Sequence, residues 1–191
     1  LYNGFGGGAA AAIAAVELYR GEHMLLTMST LAVLGALIGA ISFSGSLVAF
    51  GKLQGLIKRS FRFGGQNIVN LLVIAATVTV GVFIASGLHA DMFHVSLFFL
   101  LSLLFGVLMT LPIGGADMPV VISMYNAFTG LAVAFEGFVM QNAAMIIAGT
   151  VVGSAGTLLT QLMAKAMNRS LGNVLFSGFG DTGVAATGDV K

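Results

Sequence analysis

LLTMSTLAVLGALIGAISFSGSLVAF, residues 25–50, carries no charged side chain over its whole length. A bilayer core is crossed by about 20 apolar helical residues, so this stretch is long enough to span one. Within it Gly35, Gly39, Ser42 and Ser46 recur at i, i+4, i+7 and i+11, which is one face of a helix. Small residues on one face let helix backbones approach closely, as packed membrane helices do.

Five further stretches share its length and poverty of charge. The six expected spans cover about 1–18, 25–50, 67–87, 95–112, 118–139 and 143–167. The composition agrees. Only 8% of the 191 residues are charged, against about 25% in soluble domains. Hydrophobic residues make up 58%, and the mean hydropathy is +1.02. Eight basic and seven acidic side chains cannot cover a water-facing surface of this size. An ordinary soluble enzyme and a disordered chain are therefore excluded. The absence of cysteine excludes disulfides and thiolate metal sites. A net charge of +1 leaves no nucleic-acid footprint. The expected fold is an all-α membrane protein, a bundle of about six transmembrane helices. Residues 1–170 form its membrane domain, and 171–191 form a Gly-rich linker. The first span has no basic leader, which separates it from a signal peptide. It opens with neither Met nor cap, so the chain is expected to be a piece of a longer one.

The charges lie in the connections. Lys52, Lys58, Arg59 and Arg62 follow the second span, and Lys165 and Arg169 end the sixth. Six crossings put these two places on one side of the membrane. Arg20, Glu22, His23, His89, Asp91, His94 and Glu136 fall on the other. The positive-inside rule assigns the basic side to the cytoplasm, or to the matrix in an organelle.

An internal repeat is visible. Shifted by 123 positions, Tyr2, Asn3, Phe5, Gly7 and Ala9 land on Tyr125, Asn126, Phe128, Gly130 and Ala132. The next spans match too: Gly149, Gly153, Gly156 and Thr160 repeat the spacing of Gly35, Gly39, Ser42 and Ser46. The first and fifth spans point the same way, so the two pairs read as parallel repeats, a common plan in transporters.

The residues that can carry chemistry are few. Asn126 lies about eight residues into the fifth span, some 12 Å deep in a ~30 Å core. The repeat puts Asn3 at the same depth. Ser123, Asn126 and Gly130 are spaced i, i+3, i+7. Two readings of this stripe stand side by side: a file of water, or interhelical hydrogen-bond glue worth about 0.6–2 kcal/mol. Gly149, Gly153 and Gly156 read first as a packing surface, and second as a smooth face on which a gating helix turns, with Ser154 and Thr150 adding polar lining. Asp117, followed by Met118-Pro119, has an N-cap signature. It also stands at the foot of the Asn126 helix, where a proton-uptake or docking carboxylate would sit. His23, His89 and His94 read as interfacial histidines with no metal-ligand spacing, although a proton relay could use one. Glu17 and Glu136 read as interfacial, with the outer mouth of a pathway as the alternative. Gly178-Phe179-Gly180-Asp181-Thr182-Gly183 fits G-x-G-x-x-G, but a dinucleotide fingerprint needs a following helix and a βαβ unit. Only small residues, one Asp and one Lys follow. No Ser-His-Asp set, P-loop or carboxylate pair appears. The residues by themselves leave open a proton-conducting domain, a secondary transporter for a small solute, and a plain membrane anchor.

Gly114-Gly115-Ala116-Asp117-Met118-Pro119-Val120-Val121 with Tyr125-Asn126, Ser44-Gly45-Ser46-Leu47-Val48-Ala49-Phe50-Gly51-Lys52-Leu53, and Lys165-Ala166-Met167-Asn168-Arg169-Ser170 resemble the membrane domain of the β subunit of proton-translocating NAD(P) transhydrogenase. The resemblance covers nearly the whole chain in order. It implies membrane helices forming a proton channel, with NAD(H) and NADP(H) bound by soluble domains elsewhere. It also implies an α subunit and a dimer of the whole enzyme, in a bacterial plasma membrane or the mitochondrial inner membrane. The NADP(H) domain would follow the Gly-rich tail. The implied reaction is hydride transfer from NADH to NADP⁺, driven by protons moving into the cytoplasm or matrix. By this resemblance Asn126 matches the channel asparagine and Asp117 the acidic residue near the NADP(H) domain. Gly149, Gly153 and Gly156 match the glycines of the last membrane helix, and Lys165 and Arg169 the basic pair at the hinge. One position departs: many members have a membrane-embedded His where this chain has Asn3. An amide takes up no proton at neutral pH, so a relay there needs water or a titratable group from outside the chain.

Overall fold

The computed structural model describes residues 1–20, 24–88 and 91–172. Six α-helices follow in order: α1 Tyr2–Arg20, α2 Leu26–Leu53, α3 Gln66–Ala85, α4 Met92–Thr110, α5 Met118–Val139 and α6 Ala143–Ala166, with a 3-10 turn at Gly115–Asp117 before α5. No strand occurs among the described residues. Glu22, His23, His89 and the glycine-rich stretch from 173 onward lie outside the described residues.

The helices end where local chemistry ends them. Asp91 caps α4 by accepting from the His94 backbone N–H at 3.2 Å, and Asn142 caps α6 by accepting from that of Met145 at 3.2 Å. At the end of α2, Gly55 takes φ +72°, and the Leu56 N–H closes on the Gly51 carbonyl at 2.9 Å. Glycine adopts that left-handed turn without steric cost.

Five helices, α2 to α6, are long and apolar enough to cross a membrane. The sequence had suggested six spans. The first of these, α1, is a helix of 19 residues with Glu17 and Arg20 near its end, and it falls outside the five. It packs along α2 and α5.

The bundle has two inner helices. In α2, 67% of the apolar window is buried, and in α5 61%, against 17–22% in α3, α4 and α6. Small residues make this possible. A Cβ on Gly39 would stand 2.8 Å from the Gly7 carbonyl oxygen, and one on Gly7 3.0 Å from that of Gly39. In the second hairpin, a Cβ on Gly149 would stand 2.7 Å from the Gly130 oxygen, and one on Gly130 2.9 Å from the Gly149 oxygen. Gly130 also abuts the Gly153 backbone, and Gly156 abuts Ala127. Gly7 and Gly130 occupy equivalent places in the repeat, as do Gly39 and Gly153, and both hairpins are antiparallel. Lipid gives apolar helices no hydrophobic reason to associate, so this close backbone packing is what holds them.

Gly149→Leu should therefore drive α6 from α5. We expect a loss of about 2 kcal/mol or more, from overpacking against backbone that cannot yield. Gly114→Ala, with nothing within 4 Å of the added carbon, should stay within about 0.5 kcal/mol. Unfolding of the two variants in detergent checks the contrast.

Candidate functional site

The polar groups of the interior gather where α1, α2, α4 and α5 meet. Tyr125 is fully buried, and its ring fills the slot left by Gly45 on α2. Its hydroxyl shares a hydrogen bond with Thr110 on α4. Thr110 donates its single hydrogen to the Gly106 carbonyl at 2.7 Å, so the Tyr125 phenol is the donor of the pair. One turn on, Ser42 of α2 lies 2.7 Å from Thr129 and 3.0 Å from the Tyr125 carbonyl. Thr129 donates to the Asn3 carbonyl of α1 at 2.9 Å. Two hydroxyl hydrogens thus serve three acceptors, and the order of donation can change by rotation of Ser42 alone.

A second hydroxyl pair joins α5 to α6. Thr160 donates to the Gly156 carbonyl at 2.7 Å and lies 3.1 Å from Ser123. Ser123 and Gly130 therefore face α6 together, as their spacing predicts. Asn126 sits at the margin of that face, half-buried. No hydrogen bond engages the Asn126 amide or the Asn3 amide among the described residues. The interhelical glue is supplied by hydroxyls and carbonyls. Ser154 is exposed, away from the glycine face. With Thr150, Thr157 and Gln161 it lines a groove of about 680 Å³ between α5 and α6, whose α5 wall is Met124, Phe128 and Leu131.

At one end of the bundle the charges converge. Asp117 is buried at the start of α5, but it makes no capping bond. Its backbone sits at φ −89°, ψ −7°, inside the 3-10 turn rather than in the extended conformation of a capping residue. The carboxylate instead pairs with Arg169 at 3.5 Å. That corrects the expectation of an ordinary N-cap. Lys165 is exposed on the last turn of α6. Lys52 donates to the carbonyls of Thr110, Leu111 and Ile113, closing the end of α4. Arg62 donates to the Pro112 carbonyl at 3.3 Å. The two basic regions of the sequence thus meet on one turn.

The opposite end differs from its expected interfacial character. Glu136 is fully buried, with both carboxyl oxygens lacking a hydrogen-bond partner among the described residues. Glu17 pairs with Arg20 at 3.2 Å on the surface. His94 contacts the Asp91 carboxylate and packs edge-on to Phe93. Its hydrogen bonds hold the Asp91 carboxyl below the usual carboxylate range. His94 is thereby tied to a helix cap rather than facing the interior.

Sequence reasoning missed the Tyr125–Thr110 pair, the Lys52 clasp and the burial of Glu136. Thr129 lies four residues after Tyr125, and that spacing was the available signal. Among the described residues no three His, Cys, Asp or Glu side chains gather to hold a metal. Nor is there a strand–turn–helix unit to hold a nucleotide.

The family model described as NAD(P) transhydrogenase beta subunit matches residues 1–191. Curated proteins named NAD(P) transhydrogenase subunit beta, from Rhodospirillum rubrum and from its strain ATCC 11170, are 46% identical over 159 residues. The match covers 81% of this chain and 33% of each relative. The chain thus spans about a third of the length of the curated relatives it matches.

Lys52→Met should free three carbonyls at the end of α4. We expect a loss of about 1–3 kcal/mol, seen as earlier thermal unfolding. Lys52→Arg, which keeps the donors, should recover part of it.

Proposed function

The chain belongs to the NAD(P) transhydrogenase beta subunit family, and from that premise we propose that residues 1–170 are the proton-conducting membrane domain of such an enzyme. The observation that carries this reading is the Asn126 amide. It is half-buried in a bundle of apolar helices and has no hydrogen-bond partner among the described residues, one turn before Thr129, which bonds to Ser42 and the Asn3 carbonyl. A polar group in such a place needs a partner, and water is the partner that fits both Asn126 and Asn3. Neither amide takes up a proton. Their role is to hold water, which passes protons by exchanging hydrogen bonds, with Ser123 and the hydroxyl chain alongside. The solute-transporter alternative finds no support in the comparisons.

Asp117 and Arg169 would form the exit on the basic side, next to the NADP(H)-binding domain. Arg169 and Lys165 would act as the hinge through which that domain and the membrane helices sense each other. Gly149, Gly153 and Gly156, bare against α5, would let α6 turn with the hinge. Ser154 would face a neighbouring helix across the groove. Residues 171–191 would be the linker. NAD(H) and NADP(H) are assigned to domains outside the chain, as the family resemblance implies. An α subunit, a dimer of the whole enzyme, and a cytoplasmic or matrix position for the basic loops complete the reading.

In the complete enzyme reconstituted in vesicles, Asn126→Leu should cut proton pumping at least tenfold. Undiminished pumping would remove Asn126 from the pathway and the reading with it. Asp117→Asn should weaken coupling more than stability, because its ion-pair partner is half-exposed and such pairs contribute about 0–1 kcal/mol.

A further inference from the structure

Glu136 is the sole charged residue of α5, and no basic side chain pairs with it among the described residues. The side chain is fully enclosed, and neither oxygen accepts a hydrogen bond among the described residues. From α2 it is met by Gly35, where an added Cβ would collide with the carboxyl group. The one charge on α2, Lys52, is at the opposite end of that helix. From α1 it is faced by Glu17, which is paired with Arg20. The adjoining first turns of α6 carry no titratable group. At the same end of the bundle, α4 carries Asp91 and His94, paired with each other. A carboxylate so enclosed, and faced by another carboxylate, is not held as an ion by its neighbours. Enclosure without a counter-charge favours the neutral carboxyl group over the ion.

The position connects with the interior chain. Glu136 lies seven residues after Thr129, hence on the same face of α5 and about 10 Å further along it. Gly35 lies seven residues before Ser42 on α2. The α2–α5 seam therefore carries Tyr125, then Ser42 with Thr129, then Glu136 over Gly35, in one line towards the end opposite Asp117. We propose that Glu136 is a proton-binding residue of the pathway, taking a proton from the side opposite the basic loops and releasing it towards Thr129. Gly35 is the space that admits the carboxyl group. The step transfers a proton alone: Glu136 is protonated by outer water and returns to the carboxylate as a water in the pathway accepts the proton.

This rests on the reading of the chain as a proton-conducting domain, and the experiment separates the two. The complete enzyme is reconstituted in vesicles, and proton-coupled NADH to NADP⁺ transfer is followed while the pH on the Glu136 side alone is varied. The unmodified enzyme should show a titration on that side. E136Q should abolish that titration and lower the coupled rate at least tenfold, whereas E136D should keep a titration displaced along the pH axis. A wild-type profile in E136Q overturns the proposal. If E136Q does not assemble, E136D carries the test, and an undisplaced profile overturns it. A requirement for sodium on that side also overturns it, since the carboxylate would then be a cation ligand. Asn126→Leu is measured alongside. If that variant pumps normally, the conducting role of the chain fails. If it is blocked while E136Q behaves as wild type, only the assignment of Glu136 fails.

Discussion

The contact between the backbones of α5 and α6 at Gly130 and Gly149 limits what the rest of the bundle can be. Each glycine stands so close to the other's carbonyl that neither has room for a side chain. In lipid, apolar side chains gain nothing by leaving one apolar medium for another, so close packing and internal hydrogen bonds must do the work. The same contact recurs at Gly7 and Gly39 between α1 and α2. With the two hairpins fixed in this way, α2 and α5 lie inside and the apolar faces of α3, α4 and α6 remain outside. The polar seam exists because the inner helices meet over glycines and serines rather than over large side chains.

Within that seam the chain places hydroxyls rather than charges. Ser42, Thr129, Thr110 and Tyr125 satisfy one another and the backbone. Charge is held at the ends, where Lys52 and Arg62 clasp the α4–α5 turn and Arg169 meets Asp117. Glu136 is the exception, and its exceptional burial is the reason to assign it a proton.

Much of this was legible in the sequence. The fifth helix runs over the expected residues, and the others differ by a few positions at their ends, because long uncharged runs fix where helices can lie. The glycine faces were legible as periodicity. Rotation was not. Whether Asn126 faces α6 squarely or from the margin depends on how α5 turns against three neighbours, and no spacing states that. Glu136 looked interfacial because it stands near the end of a span. Its burial depends on Gly35, 101 positions away. Asp117 resembled a helix cap by composition, but the Gly114-Gly115 turn delivers it through a 3-10 geometry that turns its carboxylate towards Arg169.

The two hairpins are alike in sequence spacing and in the glycines that join them, yet their second helices have different surroundings. The equivalent of Ser42 in the second hairpin is Gly156. Ser42 is enclosed and reaches across to Thr129, whereas Gly156 makes only room for Ala127. The symmetry of the repeat is therefore broken by location. The enclosed copy can keep a hydroxyl because its neighbours complete the hydrogen bonds, and the peripheral copy can lose it. A duplicated hairpin becomes a hydrogen-bonded wall in one place and a bare, close-packed one in the other, with no change in the plan that built both.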